Sequence, residues 1–281
     1  MMKRLFWMLT AAGCLAVACD KTGRQPAETR FSAQFEPIGE NMDAVETRSN
    51  ISDAGAFVWN DWDQIDVHSS GGSFVPFALR DGAGMKTASF AGILPEGEEA
   101  DGVAVYPSGE HVLSGRTLTV HYPDTYTYPA DTTDSCPVMV ATLENGALPF
   151  RHVGGLMRIR YKNVPVKATH LVVTFDRQVT GDFDVDLDAE EPAAVMKDGS
   201  STVTINFTSP SEPRNTRHFY LPLPTGTLKS VHMEFRDASD AVIAGTSYTS
   251  TSTAKVIKRA RLLKMPGLVL TVIEGGTPEE S

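Results

Sequence analysis

Apolar and polar side chains alternate with a period of two in many short segments of the chain. In the first such segment, Phe31, Ala33 and Phe35 fall on one face and polar residues on the other. The same alternation returns in residues 64–68, 118–122, 157–161, 171–175, 203–207, 219–223 and 231–235. Successive side chains of a strand point to opposite sides, so each segment is predicted to be a strand that covers a core with one face.

The stretches between these segments are rich in Gly, Pro, Asn, Asp and Ser, and no helical period is sustained. Many short strands separated by turn residues are typical of an all-β sandwich. One stretch, residues 255–265 (KVIKRARLLKM), could also form a short helix ended by Pro266 and Gly267, but we favour a strand.

The sequence VPV at 164–166 interrupts the pattern after a strongly alternating segment, which suggests a domain boundary. We therefore predict an N-terminal β-sandwich domain at 49–162 and a C-terminal β-sandwich domain at 163–273. Residues 274–281 (EGGTPEES) are polar and are predicted to be a tail.

The N-terminus has the features of an export signal. Lys3 and Arg4 precede an apolar run of 14 residues at 5–18, which is too short to cross a bilayer and fits a signal peptide at 1–18. Small residues lead directly to Cys19, and this resembles the lipobox of bacterial lipoproteins, in which the cysteine is lipidated and becomes the first residue. The alternative is an ordinary secretory signal cut near the same place. After removal of residues 1–18, residues 19–48 are predicted to be a tether and an N-terminal strand, which together are a candidate propeptide.

Composition narrows the range of functions. The 281 residues include 35 acidic and 25 basic side chains, which gives a net charge of -10. Such a charge repels phosphate backbones, so nucleic acid is not expected as a partner. Of the three cysteines only Cys136 is far from the leader. Intramolecular disulfides therefore cannot hold the mature fold together, and apolar burial must do so.

Several segments, taken in order, resemble the fimbrillin family of Bacteroidales type V pilus proteins. After the lipobox they are 31–35 (FSAQF), 47–49 (TRS), 57–67 (FVWNDWDQIDV), 87–92 (TASFAG), 105–107 (VYP), 137–141 (PVMVA), 150–156 (FRHVGGL) and 219–224 (FYLPLP). The resemblance implies two tandem transthyretin-like (Greek-key) β-sandwich domains. It also implies a lipid-anchored outer-membrane protein on the cell surface or in a fimbrium, acting as a stalk, tip or anchor component or as an adhesin.

The resemblance further implies partners and a mode of assembly. In type V pilins a protease removes an N-terminal strand, and a strand of another subunit replaces it by β-augmentation. Partners would then be other fimbrillin subunits or a second copy of this chain, the outer membrane, and a surface glycan or protein as adhesive target. Arg48, in the polar loop 46–50 (ETRSN), is the candidate cleavage site.

Cleavage there would release Phe31, Ala33 and Phe35. The candidate donor strand is 268–273 (LVLTVI), with Leu268, Leu270 and Val272 on one face. The alternative is that Arg48 is merely exposed and both segments stay paired in a stable monomer.

Motifs for catalysis or metal binding are absent from the sequence, which has no HExxH, no GxSxG and no P-loop. We expect no enzyme activity, catalytic residue, metal or cofactor. The run 182–188 (DFDVDLD) lacks the Gly and Glu of an EF-hand, so it is interpreted as a strand with one acidic face, which would suit a sheet edge. Gly154 and Gly155 are expected to let two strands approach closely.

A second function remains open, that of a carbohydrate-binding or carbohydrate-processing surface lipoprotein. It would use the acidic and aromatic segment 59–66, in which Asp61, Asp63 and Asp66 lie beside Trp59 and Trp62. The structural interpretation, which we favour, is a turn that leads into the strand at 64–67 with the tryptophans in the core or at its rim.

Lipidation at Cys19 can be tested by one substitution. Cys19→Ala removes the thiol that would carry the lipid, so the protein should move from the membrane fraction to the soluble fraction. Cys14→Ala, in the apolar run, is the control and should leave the protein in the membrane. Mass spectrometry of a soluble wild-type chain that begins elsewhere than at Cys19 would contradict the prediction.

Overall fold

A computed structural model describes residues 27–38, 58–128, 137–161, 164–208, 217–250, 254–265 and 271–272. These residues contain strands and turns and no helix, and therefore no helix that could cross a membrane. The strands in chain order are β1 (Thr29–Phe35), β2 (Gln64–Ser69), β3 (Phe74–Asp81), β4 (Thr87–Gly92), β5 (Ala100–Tyr106), β6 (Val112–Ser114), β7 (Thr117–Tyr122), β8 (Thr125–Tyr128), β9 (Met139–Thr142), β10 (Ala147–His152), β11 (Gly154–Tyr161), β12 (His170–Phe175), β13 (Thr180–Asp186), β14 (Val195–Ser200), β15 (Thr202–Phe207), β16 (Arg217–Pro224), β17 (Gly226–Leu228), β18 (Ser230–Arg236), β19 (Val242–Thr249), β20 (Lys255–Ile257), β21 (Leu262–Lys264) and β22 (Thr271–Val272).

Strands of the N-terminal half close into a barrel in the order β1-β10-β9-β5-β2-β3-β4. Their inward-facing side chains form one apolar cluster, which Trp59 joins from the segment before β2. Trp59 is 1% exposed and meets Phe35, Phe90, Tyr106 and Phe150 edge-on, at ring-centroid distances of 4.9 to 5.9 Å. Edge-to-face packing of this kind suits the charge distribution of aromatic rings, so the barrel has an aromatic centre.

The C-terminal half is a sandwich of two sheets around a second core. A sheet in the order β22-β19-β18-β12-β15-β8 faces a sheet in the order β16-β11-β21, because side chains from both enter one apolar cluster. Met157 and Ile159 come from the smaller sheet, and Leu171 and Met233 from the larger. Leu156 of β11 points instead into the barrel cluster, so β11 serves both cores.

A further sheet, in the order β14-β13-β7-β6, links strands from the two halves. β7 pairs antiparallel with β13, and β8 pairs parallel with β15. Phe183 and Val185 of β13 share a core with Leu118 and Val120 of β7. Strand pairs therefore cross the boundary at 162/163, and the division into domains at 49–162 and 163–273 stays a prediction.

The all-β prediction, of β-sandwich type, is confirmed. All eight alternating segments are strands, namely β1, β2, β7, β11, β12, β15, β16 and β18. Residues 255–265 form the two short strands β20 and β21 with a turn at Arg259 and Ala260 between them. The strand prediction for this stretch is thus confirmed in part.

The acidic run is a strand, as predicted, but its interpretation as an edge is wrong. β13 lies between β14 and β7. Aspartates are tolerated in this interior strand because they contact polar and basic side chains of the neighbouring strands. Asp184 lies 2.7 Å from Thr119 Oγ1 and 3.6 Å from Lys197 Nζ, and Asp182 lies 2.9 Å from His121 Nδ1.

The two consecutive glycines of β11 do allow a close approach. A Cβ atom on Gly154 would lie 2.3 Å from the Leu223 carbonyl oxygen, and one on Gly155 would lie 2.5 Å from the Lys258 carbonyl oxygen. Gly155 therefore seats the turn between β20 and β21 directly on β11.

A side chain at Gly155 should destabilise the fold by displacing this turn. Gly155→Val is expected to lower the free energy of unfolding by about 2 kcal/mol, as overpacking of a filled site does, measured by urea denaturation with tryptophan fluorescence. Gly109→Ala is the control, because the nearest atoms to its Cβ are those of His111 at 3.8 Å. Equal stability of the two variants would contradict the close-packing argument.

Candidate strand-exchange site

The N-terminal strand β1 is inserted between two strands that come much later in the chain. It pairs antiparallel with β4 from Thr29↔Gly92 to Gln34↔Thr87, and parallel with β10 from Ser32↔Ala147 to Phe35↔Phe150. Its backbone therefore satisfies hydrogen-bonding groups on two strand edges at once. Without β1 the barrel would be open between β4 and β10.

The side chains of β1 have the alternation that the sequence predicts. Ala33 is fully buried and Phe35 is 5% exposed, while Phe31 is half-buried near the start of the strand. The Phe35 ring lies 4.9 Å from the Trp59 ring, and the Phe31 ring lies 5.7 Å from the Phe77 ring. Burial of a phenylalanine contributes about 2 kcal/mol, so β1 is held by its side chains as well as by its backbone.

Glu36 lies directly after β1, and its hydrogen bonds hold the end of this strand in place. Its backbone N–H donates to the Phe150 carbonyl oxygen at 2.8 Å, and its own carbonyl oxygen accepts from His152 Nε2 at 3.0 Å. Its carboxylate accepts a hydrogen bond from Arg259 Nη1 and lies 3.3 Å from the His152 backbone nitrogen. The Glu36 side chain is thus an ionic connection between the first strand and the β20–β21 turn.

In this cluster His152 is buried, and the Arg259 side chain is 14% exposed. Arg259 also donates to the His152 carbonyl oxygen at 3.3 Å, and its Nη2 lies 3.9 Å from the exposed Glu191. Burial lowers the pKa of His152 to about 4, although the nearby Glu36 carboxylate opposes the shift. His152 is therefore neutral at pH 7, and Arg259 supplies the positive charge that Glu36 meets.

A cleft of about 570 Å³ adjoins this cluster. Its lining includes Glu36, Pro37, Lys258, Arg259 and Arg261. The ion pair at the end of β1 therefore borders open space rather than the interior of the barrel.

The structure describes only part of the remaining site residues that the sequence predicts. Cys19, Arg48, Leu268 and Leu270 lie outside the described residues. Val272 belongs to β22, which pairs with β19 through Ala244↔Val272 and Gly245↔Thr271 at the edge of the six-stranded sheet. The described residues of the candidate donor strand, Thr271 and Val272, thus pair with β19 and not with β4 or β10.

The carboxylates proposed for carbohydrate chemistry have structural roles. Asp63 accepts from the Asn60 backbone N–H at 2.7 Å and from the Tyr106 hydroxyl at 3.0 Å, and burial raises its pKa. Asp66 accepts from the Ser108 hydroxyl at 2.6 Å and the Gly109 backbone N–H at 2.9 Å.

These bonds, together with the buried Trp59, agree with the structural interpretation of this segment. Asp61 is exposed, and Trp62, at 68%, is the exposed tryptophan of the segment. Over the described part of the chain, no three His, Cys, Asp or Glu side chains are grouped so that they could hold a metal ion.

Sequence reasoning missed Arg259 and His152. His152 lies in the segment 150–156 used for the family resemblance, but nothing in the sequence pairs it with a residue 107 positions later. Arg259 lies among other basic residues in 255–265, with Lys258 directly before it and Arg261 two positions after it. Arg259 differs from these basic residues in its position in the turn that packs on Gly155, which the sequence does not show.

No protein-family model matches the chain, and no curated protein matches it. Three solved structures align with the chain at low similarity. A candidate cell adhesion protein from Bacteroides ovatus has a TM-score of 0.47 and 12% identity, covering 89% of this chain and 97% of its own. One from Bacteroides fragilis has a TM-score of 0.40 and 11% identity, with the same coverage. A fimbrial protein from Bacteroides ovatus has a TM-score of 0.33 and 12% identity, covering 85% of this chain and 48% of its own. At these TM-scores the similarity transfers no function to this chain.

The buried His152 should make stability depend on pH. Its pKa is about 4 in the folded chain and about 6.5 in the unfolded chain, so the unfolded chain binds the proton first as the pH falls. Stability from the neutral imidazole is present above pH 6.5 and decreases below it, by about 2 kcal/mol between pH 7 and pH 5.

His152→Gln should remove this part of the pH dependence in urea titrations at the two pH values. His121→Gln, which removes an exposed imidazole, should leave it in place. A His152→Gln curve parallel to that of the wild type would contradict the assignment.

Proposed function

We propose that this chain is a fimbrillin-like lipoprotein of the cell surface. It acts without enzyme activity, as a structural, tip or anchor component of fimbriae or as an adhesin, and assembles by strand exchange after proteolysis. The observation that carries the proposal is the position of β1, an N-terminal strand inserted between β4 and β10. The sequence resemblance to fimbrillins and the lipobox at Cys19 support the same role.

Removal of β1 would create a binding site of defined chemistry. The exposed edges of β4 and β10 would present unpaired backbone N–H and C=O groups, which bind an extended peptide. Between these edges, the pockets vacated by Ala33 and Phe35 would select a small and then a large apolar side chain. Such a groove is suited to a strand from another subunit.

The order of sites along the chain suggests what cleavage would do. Cys19 and β1 both precede Arg48, and the rest of the barrel follows it. After a cut at Arg48, the folded body would be connected to the lipid anchor by non-covalent contacts, among them the pairing of β1 and the ion pair of Glu36 with Arg259. Replacement of β1 would then release the body from the membrane at the same step that joins it to another subunit. A chain that is never cut would remain as an anchor.

Cleavage and assembly can be tested together by mild trypsin treatment of the full chain, followed by size-exclusion chromatography and mass spectrometry. The wild type should be cut after Arg48, lose residues 19–48 and form oligomers. Arg48→Ala should block both the cut and the oligomers, because the loop then offers no basic residue to the protease. Arg30→Ala, at an exposed arginine of β1, is the matched control and should still assemble.

The proposal fails if the chain cut after Arg48 keeps residues 19–48 bound and stays a monomer at high concentration.

A further inference from the structure

The groove that β1 occupies has a charged end. Arg259 and Glu36 form an ion pair there with side-chain exposures of only 14% and 28%. Arg259 Nε is also buried and has no hydrogen-bond partner among the described residues, so the guanidinium has a donor that β1 does not use. A guanidinium buried to this degree is destabilised when its carboxylate partner is removed.

Arg259 is held in place independently of β1. Its turn is bonded to β11, since the Ala260 N–H donates to the Gly154 carbonyl oxygen at 2.9 Å and the Leu156 N–H donates to the Arg261 carbonyl oxygen at 3.0 Å. Departure of β1 would therefore leave the positive charge at the end of the groove. The remaining carboxylate, Glu191, is 3.9 Å away and 77% exposed, and compensates for it poorly.

Near the C-terminus of the chain, another carboxylate directly follows a strand-like segment, as Glu36 follows β1. In β1, residues 31–36 (FSAQFE) place Glu36 directly after the last inward-facing residue. In residues 269–274 (VLTVIE), Glu274 follows Ile273 in the same way, and Val269, Thr271 and Ile273 would take the inward positions, with the small polar Thr271 at that of Ala33. The other register, with Leu268, Leu270 and Val272 inward, would place Ile273 against Arg259.

We propose that Arg259 is a specificity-determining residue, which selects an incoming strand with a carboxylate directly after its last inward-facing apolar residue. The strand is residues 269–274 of a second copy of this chain, and Glu274 takes the position of Glu36. Arg259 thereby sets the register, because a shift by one residue removes the charge partner and reverses the faces of the strand. This inference rests on the proposed strand exchange.

The described part of the donor segment lies at the edge of a sheet. Among the described residues, β22 pairs with β19 on one side, through Ala244↔Val272 and Gly245↔Thr271. Insertion between β4 and β10 offers pairing on both sides and an apolar groove.

The test uses fluorescent peptides of residues 267–278 (GLVLTVIEGGTP), either unchanged or with Glu274→Gln. They are added to the full chain cut after Arg48, and affinity is measured by anisotropy. A hydrogen bond between charged groups supports a preference of about tenfold for the unchanged peptide. In Arg259→Glu the preference should reverse towards a Glu274→Lys peptide.

Two further variants make the result specific. Arg259→Gln, a milder change, should bind the unchanged and Glu274→Gln peptides equally. Arg261→Glu is the matched control for charge, since Arg261 is exposed and lines the same cleft, and it should keep the wild-type preference.

Each other outcome overturns a defined part of the inference. Equal binding of both peptides by the wild type, or an unchanged preference in Arg259→Glu, excludes Arg259 as the selecting residue while strand exchange stands. A peptide of residues 27–38 that binds when 267–278 does not excludes the chain's own C-terminal segment as donor. If neither peptide displaces β1, strand exchange itself fails.

Discussion

The double pairing of β1 is the constraint on which the N-terminal half depends. The strand hydrogen-bonds to β4 on one side and to β10 on the other, and it carries Phe35 to the ring of Trp59. The seven-stranded barrel is closed because this strand is present. Barrels have no free edges, so closure removes two sites at which another chain could pair. The barrel therefore offers no free strand edge to another chain for as long as β1 stays in place.

The two halves of the chain are mechanically connected through β11. Its successive residues face different cores, Leu156 the barrel and Met157 the sandwich. Gly154 and Gly155 let β16 and the β20–β21 turn approach its backbone. The turn brings Arg259 to the end of β1, so that the C-terminal half supplies a contact for the N-terminal strand. The two predicted domains are therefore energetically coupled at this point.

The period-two pattern was sufficient to predict the strands, because alternate side chains of a half-buried strand face the core and the solvent and are apolar and polar accordingly. Phe183 and Val185 illustrate this, being buried between aspartates. The pattern could not show that β13 is interior, since strand order depends on which edges meet and not on the composition of one strand. The contact of Arg259 with Glu36 was equally hidden. It joins residues 223 positions apart, and in sequence Arg259 is one basic residue among several.

The opposite directions of β4 and β10 have a consequence for symmetry. β1 runs antiparallel to the first and parallel to the second, so the space between them has a direction, and a strand that fits it in one orientation does not fit when reversed. A contact in which one copy gives a strand and the next receives it joins two different surfaces. Unless two copies exchange strands reciprocally, such a heterologous contact adds successive copies head to tail. A fibre built this way has two unlike ends, one with an unfilled groove and one with an unused strand.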